Sequence, residues 1–313
     1  MHGVQPMSNN KNTLIVPDRK KLAYGGAEAV VSNRFSELVN DLTRAVVNAE
    51  CLQSVSIQDE FIARYRQWIE STRLNQVIGL DQFPVGAYTN GATEGFDKFY
   101  LKNHTRRFRC LRGEYMYHMA SWRTYFPTWQ YIDDGPLEEN DAVVISFPFS
   151  DLGQEHSRTQ EILDTCEQLN IPVLLDCAYF GVCGNMKFDF THPAITDITF
   201  SLSKFMPVAH LRIGIRFTRT DDDDSLLVSN KTLYTNRLGS AVGVAIMDTF
   251  DPDYIYNTFR PNQLKLCENL KITPSKSIIF GIDYNNTYPE YNRGGASNRL
   301  NLAKHLELKL STH

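Results

Sequence analysis

The residues around Lys204 have types and a spacing that fit covalent chemistry on a carbonyl compound. In the stretch DITFSLSKFMPVAHLRIGIRF, residues 197–217, Lys204 follows Ser201 and Ser203, and Arg212 lies eight residues further on. A lysine in a poorly solvated site loses part of its preference for the ammonium form, so its amine becomes a usable nucleophile. A guanidinium can hold a phosphate through paired hydrogen bonds. The stretch therefore suits a lysine that forms a Schiff base with a phosphate-bearing aldehyde cofactor, although a plain surface lysine after a strand has the same pattern.

Two other stretches place polar residues or free amides beside a predicted strand end. In VLLDCAYFG, Asp176 ends an apolar run and Tyr179 follows three residues later. A carboxylate there can pair with a cationic ring nitrogen, although an aspartate that caps a turn has the same pattern. In AYTNGATEGFDKFY, the first amides of a predicted helix, at Gly91, Ala92 and Thr93, lack intrahelical partners and favour an anion. Any turn before a helix has this pattern, so the stretch is weak evidence alone.

A late arginine is a further candidate. In GGASNRLNLAKHL, Arg299 lies between a glycine-rich loop and an apolar segment. A buried arginine suits bidentate recognition of a carboxylate. An arginine on the surface is the alternative at this position.

The elements that position these residues alternate along the chain. Apolar residues recur at helical spacing in the predicted amphipathic helices, which are residues 32–50, 57–72, 91–103 and 157–170. Predominantly apolar segments are the predicted strands, which are residues 141–149, 171–179, 195–203 and 211–219. Apolar strands separated by helices predict a mainly parallel sheet covered on both faces, with ligands at the carboxyl ends of its strands.

The last part of the chain has a different pattern, which predicts a second, smaller layer packed with the N-terminal segment. Helical segments are expected at residues 240–250 and 263–271, and a strand at residues 276–285. The predicted organisation is a large α/β domain over residues 57–245. A short small domain is predicted from residues 1–56 and 246–313.

Composition narrows the class of protein. The 313 residues are 42% hydrophobic and 22% charged, with a formal net charge of −4. These values are ordinary for a soluble globular protein and argue against a nucleic-acid surface. The first twelve residues lack an apolar segment of signal-peptide length, and no apolar run of about 18 residues predicts a membrane span. The six cysteines are scattered without CxxC pairs, which predicts reduced thiols in a cytoplasmic protein and no zinc site.

Taken in order, these motifs resemble those of the pyridoxal-phosphate-dependent enzymes of the aspartate aminotransferase family, fold type I, class I/II. The ordered set is a glycine turn before a helix, Asp-x-x-Tyr, Ser-x-x-Lys, an arginine eight residues on, and a late Arg-x-Asn. The resemblance extends from about Phe83 to Leu302. It implies pyridoxal 5′-phosphate as the cofactor, a mainly parallel sheet of the seven-stranded type between helices, and a trimmed small α+β domain. It also implies a homodimer with shared active sites.

The resemblance implies catalytic roles for individual residues. Lys204 matches the lysine that forms the Schiff base and moves the proton between Cα and the cofactor. Asp176 matches the aspartate that pairs with the pyridine nitrogen. Tyr179 matches the tyrosine that binds the phenolic oxygen of the ring, and Arg299 matches the arginine that binds the substrate's α-carboxylate.

Other matches concern the ring face and the phosphate. Tyr115 falls where the family stacks an aromatic residue on the ring, and Trp122 is a second choice. Thr235 or Asn236, in LYTNRLG, matches a segment that reaches the phosphate of the neighbouring subunit. The residues matching the phosphate cup are Gly91, Ala92, Thr93, Ser201 and Arg212.

One stretch departs from the family pattern. The family usually has Asn-Pro-x-Asn-Pro-x-Gly after the strand at residues 142–146, and this chain has SFPFSDLG. Ser150 stands where an asparagine normally contacts the ring oxygen, and a serine is shorter. The tuning of the cofactor, and with it the reaction type, is therefore open to change.

The predicted function is a pyridoxal-phosphate-dependent aminotransferase that acts on an α-amino acid and a 2-oxo acid by a ping-pong mechanism. A lyase or another enzyme of Cα-carbanion chemistry, such as β- or γ-elimination or replacement, is the first alternative. A non-catalytic member of the fold is the second. A nicotinamide-dependent enzyme fits less well, because the glycine turn lacks the G-x-G-x-x-G spacing.

Overall fold

A central sheet organises the molecule. The computed structural model of the chain describes residues 25–30, 33–48, 56–221 and 224–307. Within these residues the central sheet has seven strands, most of which run parallel. The predicted α/β class with a mainly parallel sheet is therefore confirmed.

The strand order brings the ends of β6 and β8 to one edge of the sheet. The strands in chain order are β1 (Gln76–Ile78), β2 (Val85–Asn90), β3 (Arg107–Cys110), β4 (Thr128–Tyr131), β5 (Asp141–Ser146), β6 (Val173–Asp176), β7 (Lys187–Asp189), β8 (Ile195–Ser201), β9 (Ile213–Thr218), β10 (Thr273–Pro274), β11 (Phe280–Asp283) and β12 (Asn298–Asn301). The central sheet has the order β2-β9-β8-β6-β5-β3-β4. Strand β9 is antiparallel to β2 and β8, and the other neighbours are parallel. Since β6 and β8 pair in parallel, Asp176 and Ser201 end neighbouring strands at the same edge.

Helices cover both faces of this sheet. They are α1 (Asn33–Asn48), α2 (Ile57–Glu70), α3 (Ala92–Lys102), α4 (Met116–Tyr125), α5 (Thr159–Gln168), α6 (Ser225–Lys231), α7 (Arg237–Thr249) and α8 (Tyr254–Leu270). In α2 the buried residues Phe61, Tyr65 and Trp68 recur at helical spacing and form one apolar face. This periodicity is what made the helix predictable from the sequence.

Strand β5 shows how the two apolar layers share the sheet. All of its residues are buried. Val143 and Ile145 belong to one hydrophobic cluster, and Ala142 and Val144 belong to another on the opposite face. Because side chains alternate along a strand, a continuous apolar run is required when both faces are covered.

A second, antiparallel sheet of β10, β11 and β12 packs beside helix α8. In its register Ile282 lies opposite Arg299, so this small sheet carries the late arginine. The boundaries between the large and the small domain, at residues 57–245 against 1–56 and 246–313, stay a prediction.

Several elements were not predicted from the sequence, among them β3, β4 and α4. Strand β3 carries Arg107 and Arg109, which makes its sequence RFRC look unlike a buried strand. Asp141 accounts for the difference: its carboxylate accepts from Arg107 Nε at 2.6 Å and from Arg109 Nη1 at 2.7 Å. A buried arginine is tolerated when it is paired and hydrogen-bonded.

Two features are absent from the described residues, a membrane-spanning helix and a metal-binding cluster. None of the helices described combines the length and the apolar character needed to cross a bilayer. In the same part of the chain, no group of three or more histidine, cysteine or acidic side chains is arranged to hold a metal ion.

Candidate active site

A cavity of about 480 Å³ lies at the carboxyl ends of β6 and β8 and at the start of α3. In open α/β sheets ligands bind in this position. Residues predicted from the sequence that line it are Ala92, Thr93, Tyr115, Asp176, Tyr179, Ser201, Lys204, Arg212 and Arg299. Gly91 directly precedes Ala92, and the carbonyl oxygen of Ser150 accepts from Arg299. Thr235 and Asn236 do not line the cavity, although Asn236 donates to the carbonyl oxygen of Leu211, next to Arg212.

Lys204 follows strand β8 in a turn and reaches into the cavity wall. Its Nζ donates to the carbonyl oxygen of Ala27 at 2.7 Å. Burial lowers the pKa of the Lys204 ammonium, and the nearby Tyr179 and Asp176 oppose that shift. A larger neutral fraction makes the amine a better nucleophile and proton acceptor than a solvated lysine.

Asp176 is held by two donors. Its Oδ1 accepts from the backbone N–H of Ala178 at 3.0 Å, and His118 Nε2 lies 3.4 Å from its Oδ2. His118 is fully buried, and its Nδ1 lies 2.5 Å from the hydroxyl oxygen of Tyr100. Burial raises the pKa of Tyr100, with Asp176 adding to the effect, so this phenol stays protonated. In a neutral His118, an Nε2–H that donates to the Asp176 carboxylate leaves Nδ1 to accept from this phenol.

Sequence reasoning missed His118 and its link to Asp176. Tyr115 directly precedes helix α4 and His118 lies in its first turn, where the backbone N–H of His118 donates to the carbonyl oxygen of Tyr115 at 3.0 Å. The two rings meet edge to face, with centroids 5.8 Å apart.

A concave anion site forms where helix α3 begins. Gly91 has a φ of 78°, and a Cβ at this position would collide with the guanidinium of Arg212. Arg212, itself with a φ of 57°, donates from Nη2 to the Thr93 hydroxyl at 2.9 Å. At the end of β8, in the same cavity, Ser201 Oγ donates to Ser203 Oγ at 2.8 Å. Free helix amides, hydroxyls and a guanidinium in one place suit a phosphate.

Arg299 is the most enclosed cation of the site. Its Nη1 donates to the carbonyl oxygen of Ser150 at 2.5 Å and lies 3.4 Å from the Tyr179 hydroxyl. Its Nη2 donates to the carbonyl oxygen of Gly26 at 2.7 Å, and its guanidinium stacks 4.2 Å above the centroid of the Phe280 ring. Burial lowers the pKa of Arg299 to about 10, and the nearby positive charge of Arg293 adds to this effect. The Nε of Arg299 is buried and has no hydrogen-bond partner within the described residues.

Arg293 also lines the cavity, and sequence reasoning missed it. Its Nη1 donates to Ser150 at two atoms, the carbonyl oxygen at 3.0 Å and Oγ at 3.1 Å. Its Nη2 donates to the carbonyl oxygen of Glu114 at 3.2 Å, and Asp151 Oδ1 lies 3.8 Å from Nη1. Ser150, the predicted substitute for an asparagine, thus has its hydroxyl engaged by a cation.

The residues predicted for the ring face and for a partner subunit have separate positions. Tyr115 lines the cavity and is 39% exposed, whereas the side chain of Trp122 lies outside the described side chains. Thr235 Oγ1 donates to Gln58 Oε1 at 2.6 Å. Asn236 caps helix α7 by accepting from the N–H of Gly239 at 2.8 Å. A contact of Thr235 or Asn236 with a second copy stays a prediction.

Residues 25–30, which we call the strap, lie against the site. The consecutive carbonyl oxygens of Gly26 and Ala27 accept from Arg299 and Lys204, respectively. The strap is also tied outside the cavity, since Glu28 forms a salt bridge of 3.1 Å with Lys304. The two cations most suited to a ligand are therefore covered by backbone of the same chain.

Comparison with known proteins gives a likeness of fold. No family model matches the sequence, and no curated protein matches it. Solved structures do match over nearly the whole chain. A probable N-succinyldiaminopimelate aminotransferase from Thermus thermophilus is 13% identical with a TM-score of 0.65, covering 91% of this chain and 90% of its own. The PLP-bound C-S lyase from Staphylococcus hominis is 11% identical with a TM-score of 0.66, covering 91% and 87%.

A third solved structure extends the range of activities among these neighbours. The L-threonine-O-3-phosphate decarboxylase from Porphyromonas gingivalis is 13% identical with a TM-score of 0.59, covering 88% of this chain and 93% of its own. The fold predicted from the sequence, that of the fold type I pyridoxal-phosphate enzymes, is confirmed by these matches. Because the matched structures carry an aminotransferase, a lyase and a decarboxylase name, the shared fold does not fix the reaction.

Proposed function

We propose that the chain is a pyridoxal-phosphate-dependent aminotransferase that moves an amino group between an α-amino acid and a 2-oxo acid. The observation that carries this proposal is the convergence of four groups on one cavity. They are an amine of lowered pKa at Lys204, a carboxylate at Asp176, an anion site around Arg212 and an enclosed guanidinium at Arg299. The fold supports the proposal without being sufficient for it.

The residues fit this cofactor. Its phosphate would be held by the amides at the start of α3, by Arg212 and by the hydroxyls of Thr93 and Ser201. Gly91 supports the assignment, because the space that a Cβ would fill there is taken up by the guanidinium of Arg212. Asp176 would hold the ring nitrogen and keep it protonated. When bound, the cofactor would supply an electron sink for negative charge at the substrate's Cα.

The proposed work of this chain's own residues is binding and proton transfer. Arg299 binds the α-carboxylate of the substrate, and its buried Nε, which has no partner among the described residues, offers a donor for that purpose. Lys204, with its lowered pKa, would accept the Cα proton as a neutral amine and pass the same proton on to the bound cofactor. Asp176 is fixed in place because Ala178 and His118 both donate to it.

Elimination of a β- or γ-substituent is the second candidate, and a specific observation favours it. The hydroxyl of Ser150 accepts from Arg293. A cation beside this position changes the local charge relative to a neutral asparagine, and charge near the ring affects which Cα reaction follows. A keto acid and ammonia released from one amino acid, without a second substrate, would identify this reaction.

The test of the proposed function begins with absorption of the purified protein mixed with pyridoxal phosphate. We expect a visible band in the wild type that Lys204→Ala lacks, and that bleaches when an amino acid is added. Borohydride reduction followed by peptide mass spectrometry should place the cofactor's mass on Lys204. Lys187→Ala, a change at a surface lysine that is 56% exposed, is the matched control and should keep the band. A folded wild-type protein without a band would refute the proposal.

A further inference from the structure

Glu114 carries a buried carboxylate that has no part in the proposed mechanism. The residue is 3% exposed and directly precedes Tyr115, which lines the cavity. Glu114 Oε1 accepts from the backbone N–H of Ser146 at 2.7 Å, and Oε2 accepts from the Ser146 hydroxyl. Oε2 also accepts from the backbone N–H of Tyr115 at 3.2 Å. Both carboxylate oxygens are therefore engaged, and together they join two separate parts of the chain.

The two parts are the end of strand β5 and the entrance to helix α4. Ser146 is the last residue of β5 and lies opposite Asp176 in the pairing of β5 with β6. Tyr115 directly precedes α4, and His118, which contacts Asp176, lies in its first turn. The carboxylate of Glu114 thus fastens the segment with the proposed ring-face residue to the strand beside the proposed partner of the ring nitrogen.

The ring of Tyr115 needs such an anchor because it is 39% exposed. The aromatic neighbours described for it are Tyr117, stacked with centroids 6.2 Å apart, and His118, edge to face at 5.8 Å. Both belong to the same helix entrance, so they support the ring without fixing it to β5. Of the two polar contacts of this segment with strand ends given above, that of Glu114 with Ser146 at 2.7 Å is shorter than that of His118 with Asp176 at 3.4 Å.

A buried carboxylate is a costly way to make this link. The three donors described for it are neutral, two backbone N–H groups and one hydroxyl. Burial raises the pKa of Glu114, and the nearby His118 and the donors on Ser146 oppose that shift. Buried polar groups of this kind concentrate at functional sites, where their geometry offsets the cost of desolvation.

We propose that Glu114 is a positioning residue, which holds the ring of Tyr115 where it would stack on the pyridine ring of the cofactor. The inference rests on the proposed function. Glu114 is absent from the described residues that line the cavity, so its effect on a ligand passes through Tyr115. A carboxylate that only stabilised the fold, or that acted through its charge, would have effects that do not require the Tyr115 ring.

The first experiment separates affinity for the ring from affinity for the phosphate. The probes are pyridoxine phosphate, whose alcohol cannot form a Schiff base, and inorganic phosphate, and the Kd of each is measured by calorimetry on the full-length apoprotein. In Glu114→Gln one carboxylate oxygen becomes an NH2 group, so a donor of Ser146 or Tyr115 loses its acceptor. Since an aromatic stack contributes about fivefold to affinity, we expect this variant to weaken pyridoxine phosphate binding by about threefold to fivefold and to leave phosphate binding unchanged.

A surface glutamate provides the matched control. Glu161→Gln makes the same chemical change at a side chain that is 63% exposed. Both Kd values should stay at those of the wild type in this variant.

A double-mutant cycle tests whether Glu114 acts through Tyr115. Tyr115→Leu removes the ring and should itself weaken pyridoxine phosphate binding by about fivefold. In that background Glu114→Gln should have no further effect, because the ring that it positions is gone. Ser146→Ala, which keeps the carboxylate and removes one of its donors, should cause a smaller loss that also disappears in the Tyr115→Leu background.

Four results would overturn the inference. They are unchanged Kd values in Glu114→Gln, equal losses for both probes, a loss that persists in the Tyr115→Leu background, and wild-type affinity for pyridoxine phosphate in Tyr115→Leu. The last result needs no change at Glu114, so it stands even if Glu114→Gln does not fold. Failure of the proposed function is distinguishable, because it removes the Lys204-dependent band from the wild type, whereas failure of this inference leaves that band intact.

Discussion

The ammonium nitrogen of Lys204 donates to the carbonyl oxygen of Ala27 at 2.7 Å, and the preceding carbonyl, of Gly26, accepts from Arg299 at the same distance. Two adjacent peptide groups of the strap thus engage the proposed cofactor lysine and the proposed substrate arginine. A ligand that used Lys204 Nζ or Arg299 Nη2 would have to replace one of these carbonyl oxygens.

The salt bridge between Glu28 and Lys304, which holds the strap from outside the cavity, should slow the association of pyridoxal phosphate. Glu28 and Lys304 are 44% and 58% exposed, so their salt bridge stabilises the fold by less than about 1 kcal/mol. We expect Lys304→Ala to leave the unfolding free energy nearly unchanged and to raise the association rate of pyridoxal phosphate severalfold, measured by stopped-flow absorption. Loss of a positive charge would by itself slow the arrival of a phosphate, so a faster rate identifies release of the strap. Lys187→Ala is the control, and a rate no higher than that of the wild type would contradict the prediction.

Because Lys204 is buried, replacing it should change the free energy of unfolding by an amount that depends on pH. Burial lowers the pKa of Lys204 below the ordinary value of about 10.4. Between the folded and unfolded pKa values the unfolded chain binds a proton that the folded chain lacks, so the destabilisation by Lys204 fades as the pH rises through this window. Lys204→Met should therefore stabilise the apoprotein most at neutral pH and less near pH 10, as measured by urea unfolding.

A surface variant separates this effect from a general response to alkali. Lys187→Met, at a side chain that is 56% exposed, should show no comparable trend between the two pH values. A gain for Lys204→Met that stays constant with pH would show that the ammonium is not the source of the destabilisation.

A side chain at position 91 should weaken cofactor binding by more than backbone strain alone would. The φ of 78° at Gly91 makes any other residue costly by about 1–3 kcal/mol, and a Cβ would also displace the guanidinium of Arg212. Gly294, with a φ of 96°, shares the strain but has open space around its Cβ position. We expect Gly91→Ala to weaken pyridoxal phosphate binding at least about tenfold, and Gly294→Ala to leave it near wild type. Equal affinities in a spectroscopic titration would argue against the phosphate assignment.

Removal of the Tyr100 hydroxyl should destabilise the fold and shift the absorption band of the bound cofactor. Tyr100→Phe removes the donor to His118 Nδ1 in a fully buried setting, which should lower the free energy of unfolding by about 1–3 kcal/mol. Because the tautomer of His118 is then no longer fixed, the hydrogen bond to Asp176 weakens and the band of the bound cofactor should shift. Tyr234→Phe, at a side chain that is 85% exposed, should change stability by less than about 0.5 kcal/mol. An unchanged band would show that His118 does not act through Asp176.

Much of the fold and part of the candidate site could be predicted from the sequence because the signals are local. The strands with continuous apolar runs, such as Ala142–Ile145 in β5 and Val173–Leu175 in β6, are buried throughout and have few other interpretations. Lys204, Asp176 and Arg212 lie at the last residue of a strand or in the turn beside one, so their position follows from the strand prediction. Their convergence then follows from the parallel pairing of β6 and β8.

The missed residues depend on contacts between distant parts of the chain. Arg293 matters because Ser150, which precedes it by 143 residues, accepts its hydrogen bonds. His118 matters because it lies between Tyr100 and Asp176. Strand β3 was missed because Arg109 is stabilised by an aspartate on another strand. A single sequence records none of these pairings, which form only through tertiary structure.

The cavity wall includes residues from Gly26 to Arg299, and this span has a consequence for synthesis of the protein. A nascent chain that has reached Arg212 already contains the lysine, the aspartate and the phosphate-binding residues. Strand β12, with Arg299, has not yet been made, so one wall is open and water reaches the lysine. Since domains form from the N-terminal side during translation, the proposed cofactor site would be enclosed only after β12 pairs with β11. Synthesis of β12 is thus the step that would close this wall of the cavity.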